Sequence, residues 1–335
     1  MKILGTGLSG LVGSRIVELL RDGYEFEISD TDITDRHRIF EKIKSSDATI
    51  VLHLAAKTDV DACERDREDD QRFPNRHSGR VQNLLRSSLL LGDSGVAPSA
   101  DGAPQNDEEG FRRSTAWAVN VIGTRNVRDA CQDSNKKLIY ISTDFVFDGE
   151  KTSEYIEEDI PNPINWYAKT KYEGEKIVQT LSCPWIIARI AYPYRANFER
   201  NDFARAILKR LQDQKAVAGV TDHKFSPTFV DDITHALDAL IKSESTGIFH
   251  VVGSQSLSPY DAAVKIAKTF DLDKSLISKT TREEYFRNRA PRPFHLGLKN
   301  DKIENLGVKM RTFREGLLEV KKQLENHKFQ IANSK

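Results

Sequence analysis

The sequence predicts an α/β fold: a doubly wound parallel sheet followed by a smaller C-terminal mixed α/β domain. Three observations lead there. Short apolar runs alternate with amphipathic stretches through the first half of the chain, as strands and helices do in a parallel sheet. A glycine-spaced turn separates the first such run from the first amphipathic stretch. The runs ATIVLHLAA (48–56) and KLIYIST (137–143) are apolar at successive positions, as a central parallel strand covered on both faces must be.

Residues 2–4 read as the first strand and 11–21 as a helix with Val12, Ile16, Leu19 and Leu20 on its apolar side. A strand at 26–29, a helix at 36–43, the strands at 48–56 and 137–143 and a strand at 185–189 complete the first half. Beyond Tyr194 the pattern shifts to helices at 203–211, 230–241, 260–270 and 313–324, with 247–252 as the main strand. These shifts divide the chain into 1–190, a dinucleotide-binding domain, and 191–335, mainly a substrate domain. The stretch from about 67 to 113, rich in Asp, Arg, Ser, Gly and Pro, fits neither half and reads as a mobile insertion.

At 335 residues the chain is long enough to bury a large core. Its 50 Lys and Arg balance 50 Asp and Glu, so no net field favours nucleic acid or an anionic membrane. The opening MKILGTG lacks a secretory pattern, and no run of eighteen apolar residues occurs; a cytoplasmic, unanchored protein is expected. Cys63, Cys131 and Cys183 form no CxxC pair and no even disulfide set, so packing is their expected role. No His or Cys pair stands at metal-ligand spacing around His53, which reads as a packed strand histidine.

The chemistry-bearing motifs lie at the C-terminal ends of the predicted strands. GTGLSGLVG (5–13) places Gly7, Gly10 and Gly13, with Leu11 among them, between strand and helix. Glycines there allow a tight turn and close approach to a pyrophosphate at a helix N-terminus, the Rossmann arrangement. ISDTDITD offers Asp30 and Asp32, either to bind an adenosine ribose, which favours NAD over NADP, or to cap the next helix. HLAAKTDVDACE (53–64) sets small Ala55 and Ala56 at a strand end, leaving room for a ligand. ISTDFVFDG (141–149) brings a hydroxyl, Ser142 or Thr143, to the same crevice. YAKTK (167–171) puts Tyr167 and Lys171 one helical turn apart, on one face. Alone, that pair reads as an ordinary surface helix; beside Thr143 and the glycine loop it reads as chemistry.

In order and spacing these motifs, with AWAVNVIGTRNV, FSPTFVDDITHAL and the late RP of PRPFHLGL, resemble the extended short-chain dehydrogenase/reductases. Within them the match is to the dTDP-4-dehydrorhamnose reductase group of nucleotide-sugar reductases. The resemblance implies that Tyr167 protonates a substrate carbonyl, that Lys171 lowers the phenol's pKa and binds the nicotinamide ribose, and that Thr143 holds the carbonyl oxygen. It implies Asp32 and Ile33 around the adenine, and Ala55, Ala56 and Lys57 along an NAD or NADP cofactor. Asn120 would assist a relay water; Asp144, Phe145, Arg189, Tyr192 and the loop 225–228 would meet the nucleotide sugar. The implied reaction is reduction of dTDP-4-dehydrorhamnose to dTDP-L-rhamnose for polysaccharide synthesis, and a homodimer is compatible with it. An epimerase or dehydratase on the same scaffold, and a non-catalytic regulatory subunit like the methionine adenosyltransferase β subunit, are the alternatives. The chain departs from the group at Phe145, where tyrosine is usual, at Tyr192, where tryptophan is common, and in the length between Glu64 and Asn120.

Overall fold

The computed structural model describes residues 1–72 and 115–333, with side chains to residue 326. Six parallel strands form the central sheet: β1 (Lys2–Thr6), β2 (Glu25–Ser29), β3 (Ile50–His53), β4 (Lys137–Thr143), β5 (Trp185–Ile190) and β10 (Gly247–Val251), in the order β2-β1-β3-β4-β5-β10. Leu4 of β1 faces Glu27 of β2 on one side and Val51 of β3 on the other. The chain therefore leaves β1 in one direction and returns on its opposite side. Such a reversal opens a crevice beyond the strands' C-terminal ends, here between β1 and β3.

Helices cover both faces. On one, α1 (Gly13–Leu20) packs against α7 (Val230–Lys242), and Ile16, Ile233 and Leu237 join Ile3, Leu52 and Ile139 in one apolar cluster. On the other, α2 (Arg36–Ser45), α4 (Thr124–Asp133) and α5 (Trp166–Val178) cover Leu4, Val51 and Leu138. Local signals agree with this frame. Asp35 caps α2 by accepting the Arg38 N–H, and Lys42 and Lys44 occupy its last turn, opposite the helix dipole's negative end. A third helix, α3 (Val60–Arg72), follows β3, so residues 67–72, expected to begin the insertion, are helical. The remainder of that expected mobile segment, 73–113, lies outside the described residues.

The expected boundary near residue 190 is not a boundary of the fold. Strand β10 pairs with β5 in the central sheet, Ile248 facing Ile187, and α7 lies on α1. The chain leaves for the second lobe after β5 and comes back, a return that hydrophobic periodicity does not register because it reports a face and not its partner. The second lobe is built from α6 (Phe203–Gln212), α8 (Pro259–Thr269), the short α9 (Arg282–Tyr285), α11 (Phe313–Asn333) and short parallel pairs, β6 (Pro193–Tyr194) with β9 (Thr228–Phe229), β7 (Val217–Val220) with β11 (Ile277–Thr280) and β8 (Lys224–Phe225) with β12 (His295–Leu296), while the one-turn α10 (Asp301–Glu304) packs on β10. Its own core gathers Leu208, Leu211, Ala263, Ile266, Phe313 and Leu317. Cys63, Cys131 and Cys183 are free and buried, and no helix of the described residues is long and apolar enough to cross a membrane.

The sheet interior holds a polar thread at His53. Its Nδ1 lies 2.7 Å from the Thr6 hydroxyl and its Nε2 lies 3.2 Å from that of Thr124. Burial pushes its pKa down to about 3, with Lys171 adding to the effect. Burial likewise holds His223 down to about 4 and His250 to about 3. An unfolded chain protonates these imidazoles below the ordinary histidine range, while the folded chain does not until pH is far lower. Their contribution is complete above that range and is lost as pH falls. The thermal midpoint is expected to drop between about pH 7 and pH 5, with a shallower slope in His53→Asn; a midpoint indifferent to pH there would contradict this.

Candidate active site

The glycine loop is shaped by what its neighbours leave free. Gly7 has φ +71°, and a Cβ on it would lie 2.5 Å from the Ala55 nitrogen. A Cβ on Gly13 would lie 2.5 Å from the Leu8 Cα, whereas at Gly10 it would meet only the Gly7 carbonyl, at 3.3 Å. Thus Gly7 joins the β1 and β3 loops, Gly13 seats α1, and Gly10 faces open space. Helix α1 has Val12 at its N-cap position, with no side-chain cap and no acidic residue in its first turn. Its first N–H groups and positive dipole end therefore suit an anion such as a pyrophosphate.

From this loop a cleft of about 1080 Å³ runs between the two lobes. It exceeds the usual span for one drug-sized ligand, so there is room for two. Gly7, Gly10, Leu11, Gly13, Ala55 and Ala56 line one end, and Thr143, Asp144, Phe145, Tyr167, Lys171 and Tyr192 the middle. The structure thereby brings most of the sequence-predicted residues together. At the end of β2, Asp30 is exposed and Asp32 accepts from the Thr34 N–H (2.9 Å) and hydroxyl (2.7 Å). Ile33 is buried against Gly123, and its carbonyl accepts from Asn126 at 2.9 Å.

Helix α5 presents the tyrosine and lysine because its start is pinned by four hydrogen bonds. The Asn165 side chain accepts the Ala168 N–H (2.9 Å) and donates to the Pro291 carbonyl (3.0 Å), and the Trp166 N–H donates to Glu64 of α3 at 2.7 Å. The Trp166 indole N–H donates to Asp70, also of α3, at 2.7 Å. Tyr167 and Lys171 are consequently held in the wall, both buried. Burial pushes the Tyr167 phenol well up, with the Thr143 hydroxyl within hydrogen-bonding reach and pulling the other way. Burial pushes Lys171 down to about 7 against the opposing pull of Glu175.

The expected depression of Tyr167 by Lys171 is not what these side chains produce. The Lys171 ammonium donates to the Ile141 carbonyl at 2.7 Å and sits 4.1 Å from the centre of the Tyr140 ring, so burial dominates the phenol. Asn120 sits in a π-helical turn, Ala118–Gly123. Its amide oxygen accepts the Lys57 N–H at 2.8 Å, and its amide nitrogen donates to the Lys57 carbonyl (3.0 Å) and the Thr170 hydroxyl (2.9 Å). The Lys57 side chain reaches Asp66 at 2.6 Å. Asn120 and Lys57 therefore fasten the β3 loop to α5, with both hydrogens of the Asn120 amide engaged and its oxygen accepting one hydrogen bond.

Arg189 is a second correction. It is buried inside the fold and is no part of the cleft wall: its guanidinium meets Glu175 at 3.0 and 2.7 Å and lies 5.0 Å from the centre of the Phe147 ring. A buried cation needs such a partner, and Glu175, one turn beyond Lys171, supplies it. Beyond Phe225 of the expected loop and Arg292 of the late RP, the motifs missed the far end of the cleft, where Arg200, Arg210 and Arg289 line the wall with Phe203, Tyr285 and Phe286. Arg292, the arginine of the late RP, donates to Asp61 of α3 at 3.0 Å and so ties the two lobes. Tyr192 takes φ +40°, a strained value for tyrosine, within ring contact of Phe145, Phe203 and Phe225.

A glycine loop at the switch point and a buried hydroxyl–tyrosine–lysine set beside it define an extended short-chain dehydrogenase/reductase. More narrowly, the chain belongs to the family described as RmlD substrate binding domain, which matches residues 1–87 and 105–326. That match passes over residues 88–104 alone within the expected insertion. The chain is 28% identical over 276 residues to a dTDP-4-dehydrorhamnose reductase of Aggregatibacter actinomycetemcomitans, covering 79% of this chain and 78% of that protein. The crystal structure of dTDP-4-dehydrorhamnose reductase from Bacillus anthracis in complex with NADP superposes with a TM-score of 0.77 at 26% identity, over 96% of this chain and 99% of that one. The methionine adenosyltransferase 2 subunit β of Bos taurus is 34% identical over 217 residues, covering 61% of this chain and 63% of that protein.

Gly7 and Gly10 should separate on substitution. Gly7→Ala combines a left-handed backbone with a clash and is expected to cost about 1–3 kcal/mol of stability. Gly10→Ala is expected to leave the thermal midpoint unchanged while weakening NADH or NADPH binding, read by cofactor fluorescence. Equal loss of stability in both variants would contradict this division of roles.

Proposed function

We propose that this chain reduces nucleotide-bound 4-keto sugars with a nicotinamide cofactor, its substrate being dTDP-4-dehydrorhamnose and its product dTDP-L-rhamnose. One observation carries the reading: Thr143, Tyr167 and Lys171 line a single cleft with the glycine loop at one end and arginines between aromatic walls at the other. A dinucleotide fits the first end. The second suits a nucleoside diphosphate, whose phosphates pair with guanidinium groups and whose base stacks on rings. The reductase relatives support both substrate class and reaction.

A bound nicotinamide would supply the hydride. The protein's own part is to hold and protonate the carbonyl. The Thr143 hydroxyl anchors the oxygen and Tyr167, kept protonated by burial, donates its proton to it. Lys171, with its Nζ fixed on the Ile141 carbonyl, offers its remaining N–H groups to a ribose hydroxyl. Phe145 and Tyr192 give the sugar pocket an apolar wall with one phenol, Tyr192, whose hydroxyl lies 3.4 Å from His223 Nε2. The likeness to a methionine adenosyltransferase β subunit covers less of the chain, and the complete Tyr167–Lys171 arrangement favours catalysis over a purely regulatory role.

With the keto sugar as substrate, Tyr167→Phe is expected to lower kcat by about 10²–10⁴-fold while the thermal midpoint holds. Undiminished NADH or NADPH oxidation in that variant would sink the reading. Exposed Asp30 faces the end of β2 where the adenosine ribose belongs, so we propose that NADH is preferred. Asp30→Ala is expected to shift the ratio of kcat/KM for the two cofactors toward NADPH by about tenfold, or about 1.4 kcal/mol. An unchanged ratio would remove Asp30 from the explanation.

A further inference from the structure

We propose that Asp144 works as a neutral carboxylic acid which, through the Thr143 hydroxyl, restores the proton that Tyr167 gives up in each turnover. The proposal rests on the reductase reading and adds to it a source for the proton.

Asp144 is 1% exposed although it lines the cleft. Its Oδ1 lies 2.9 Å from the Thr143 hydroxyl, which donates to the carboxylate and accepts from Oδ1 once Asp144 carries its proton there, while Oδ2 is buried with no hydrogen-bond partner. Among the described residues no ion pair reaches it. The titratable groups facing it are two phenols, Tyr167 from α5 and Tyr192 from the turn after β5, both held protonated by burial. A carboxylate among neutral groups, with one oxygen unsatisfied, is expensive, whereas the protonated acid is not. Burial accordingly raises Asp144 to about 7, with Thr143 and the nearby backbone N–H groups opposing it only in part.

The same geometry supplies a path. Thr143 touches Asp144 on one side and lies within reach of the Tyr167 phenol on the other. As the carbonyl carbon gains a hydride, its oxygen takes the Tyr167 proton. The phenolate oxygen then takes the Thr143 proton, and Thr143 takes that of Asp144. Asp144 is left as a carboxylate and is reprotonated from water when product leaves, so each cycle consumes one solvent proton and no further reactant.

Infrared spectra of the full chain test the acid, and steady-state kinetics with NADH and the keto sugar test the relay. At about pH 6 the chain should show the carbonyl stretch of a protonated carboxyl that is absent from Asp144→Asn and from Asp144→Ser, and it should fade as pH rises through about 7. Asp144→Asn should lower kcat by about 10- to 100-fold with little change in KM and lose the decline of kcat above neutrality. Because the acid's pKa is raised, its own contribution to stability is lost as pH climbs from the ordinary carboxylate range to about 7, against the opposite trend of the buried histidines; the variant's thermal midpoint should therefore rise more steeply with pH over that window than the wild type's. Absence of the band overturns the neutral acid, and an Asp144→Asn enzyme with wild-type kcat and pH profile overturns the relay. If the wild type oxidises no cofactor, the reductase reading fails separately, while the band still reports on Asp144.

Discussion

The backbone of Gly7 runs so close to Leu54 and Ala55 that no side chain fits between them, and the geometry of the cleft follows from that contact. It fixes the loops after β1 and β3 against one another at the point where the sheet reverses direction. The uncapped start of α1 then faces the same space as the ends of β3 and β4. From there, Asn120 clamps the β3 loop to α5, and Glu64 and Asp70 of α3 hold the first residue of α5 in place. Tyr167 and Lys171 inherit their positions from this chain of contacts. Loosening any member would move these two side chains, and under the proposed reaction positioning to within an ångström decides rate.

Burial does two kinds of work in this site. It keeps Tyr167 and Asp144 protonated and draws Lys171 toward neutrality, so the cleft presents proton donors in a setting where ionised groups are costly. Deeper in, the Arg189–Glu175 pair is closed on itself through two hydrogen bonds, with His250 beside the third guanidinium nitrogen, and its charge serves the structure. These two side chains thus belong to the frame behind the lysine and take no part in the cleft wall.

Much of this was legible in the sequence, for identifiable reasons. The glycine spacing, the two strands apolar on both faces and the four-residue step from Tyr167 to Lys171 are local patterns, and local patterns survive in one dimension. Strand β10 and helix α7 were assigned to the wrong half because their partners, β5 and α1, are distant in the chain. Arg189 was expected at the nucleotide sugar because a motif shows that a cation is present and not which carboxylate it meets. The cleft arginines were scattered from Arg200 to Arg292, and only the RP pair hinted at them. Their common wall exists only once the second lobe folds over the first.

The account turns on direct hydride delivery to a carbonyl held between Thr143 and Tyr167. The most direct measurement follows the label from cofactor deuterated at the nicotinamide C4 into the sugar product by mass spectrometry and NMR. Deuterium at the former carbonyl carbon, with one cofactor oxidised per product formed, is the predicted result. Sugar turnover without net cofactor oxidation, or product carrying no label from either face of the nicotinamide, would contradict it.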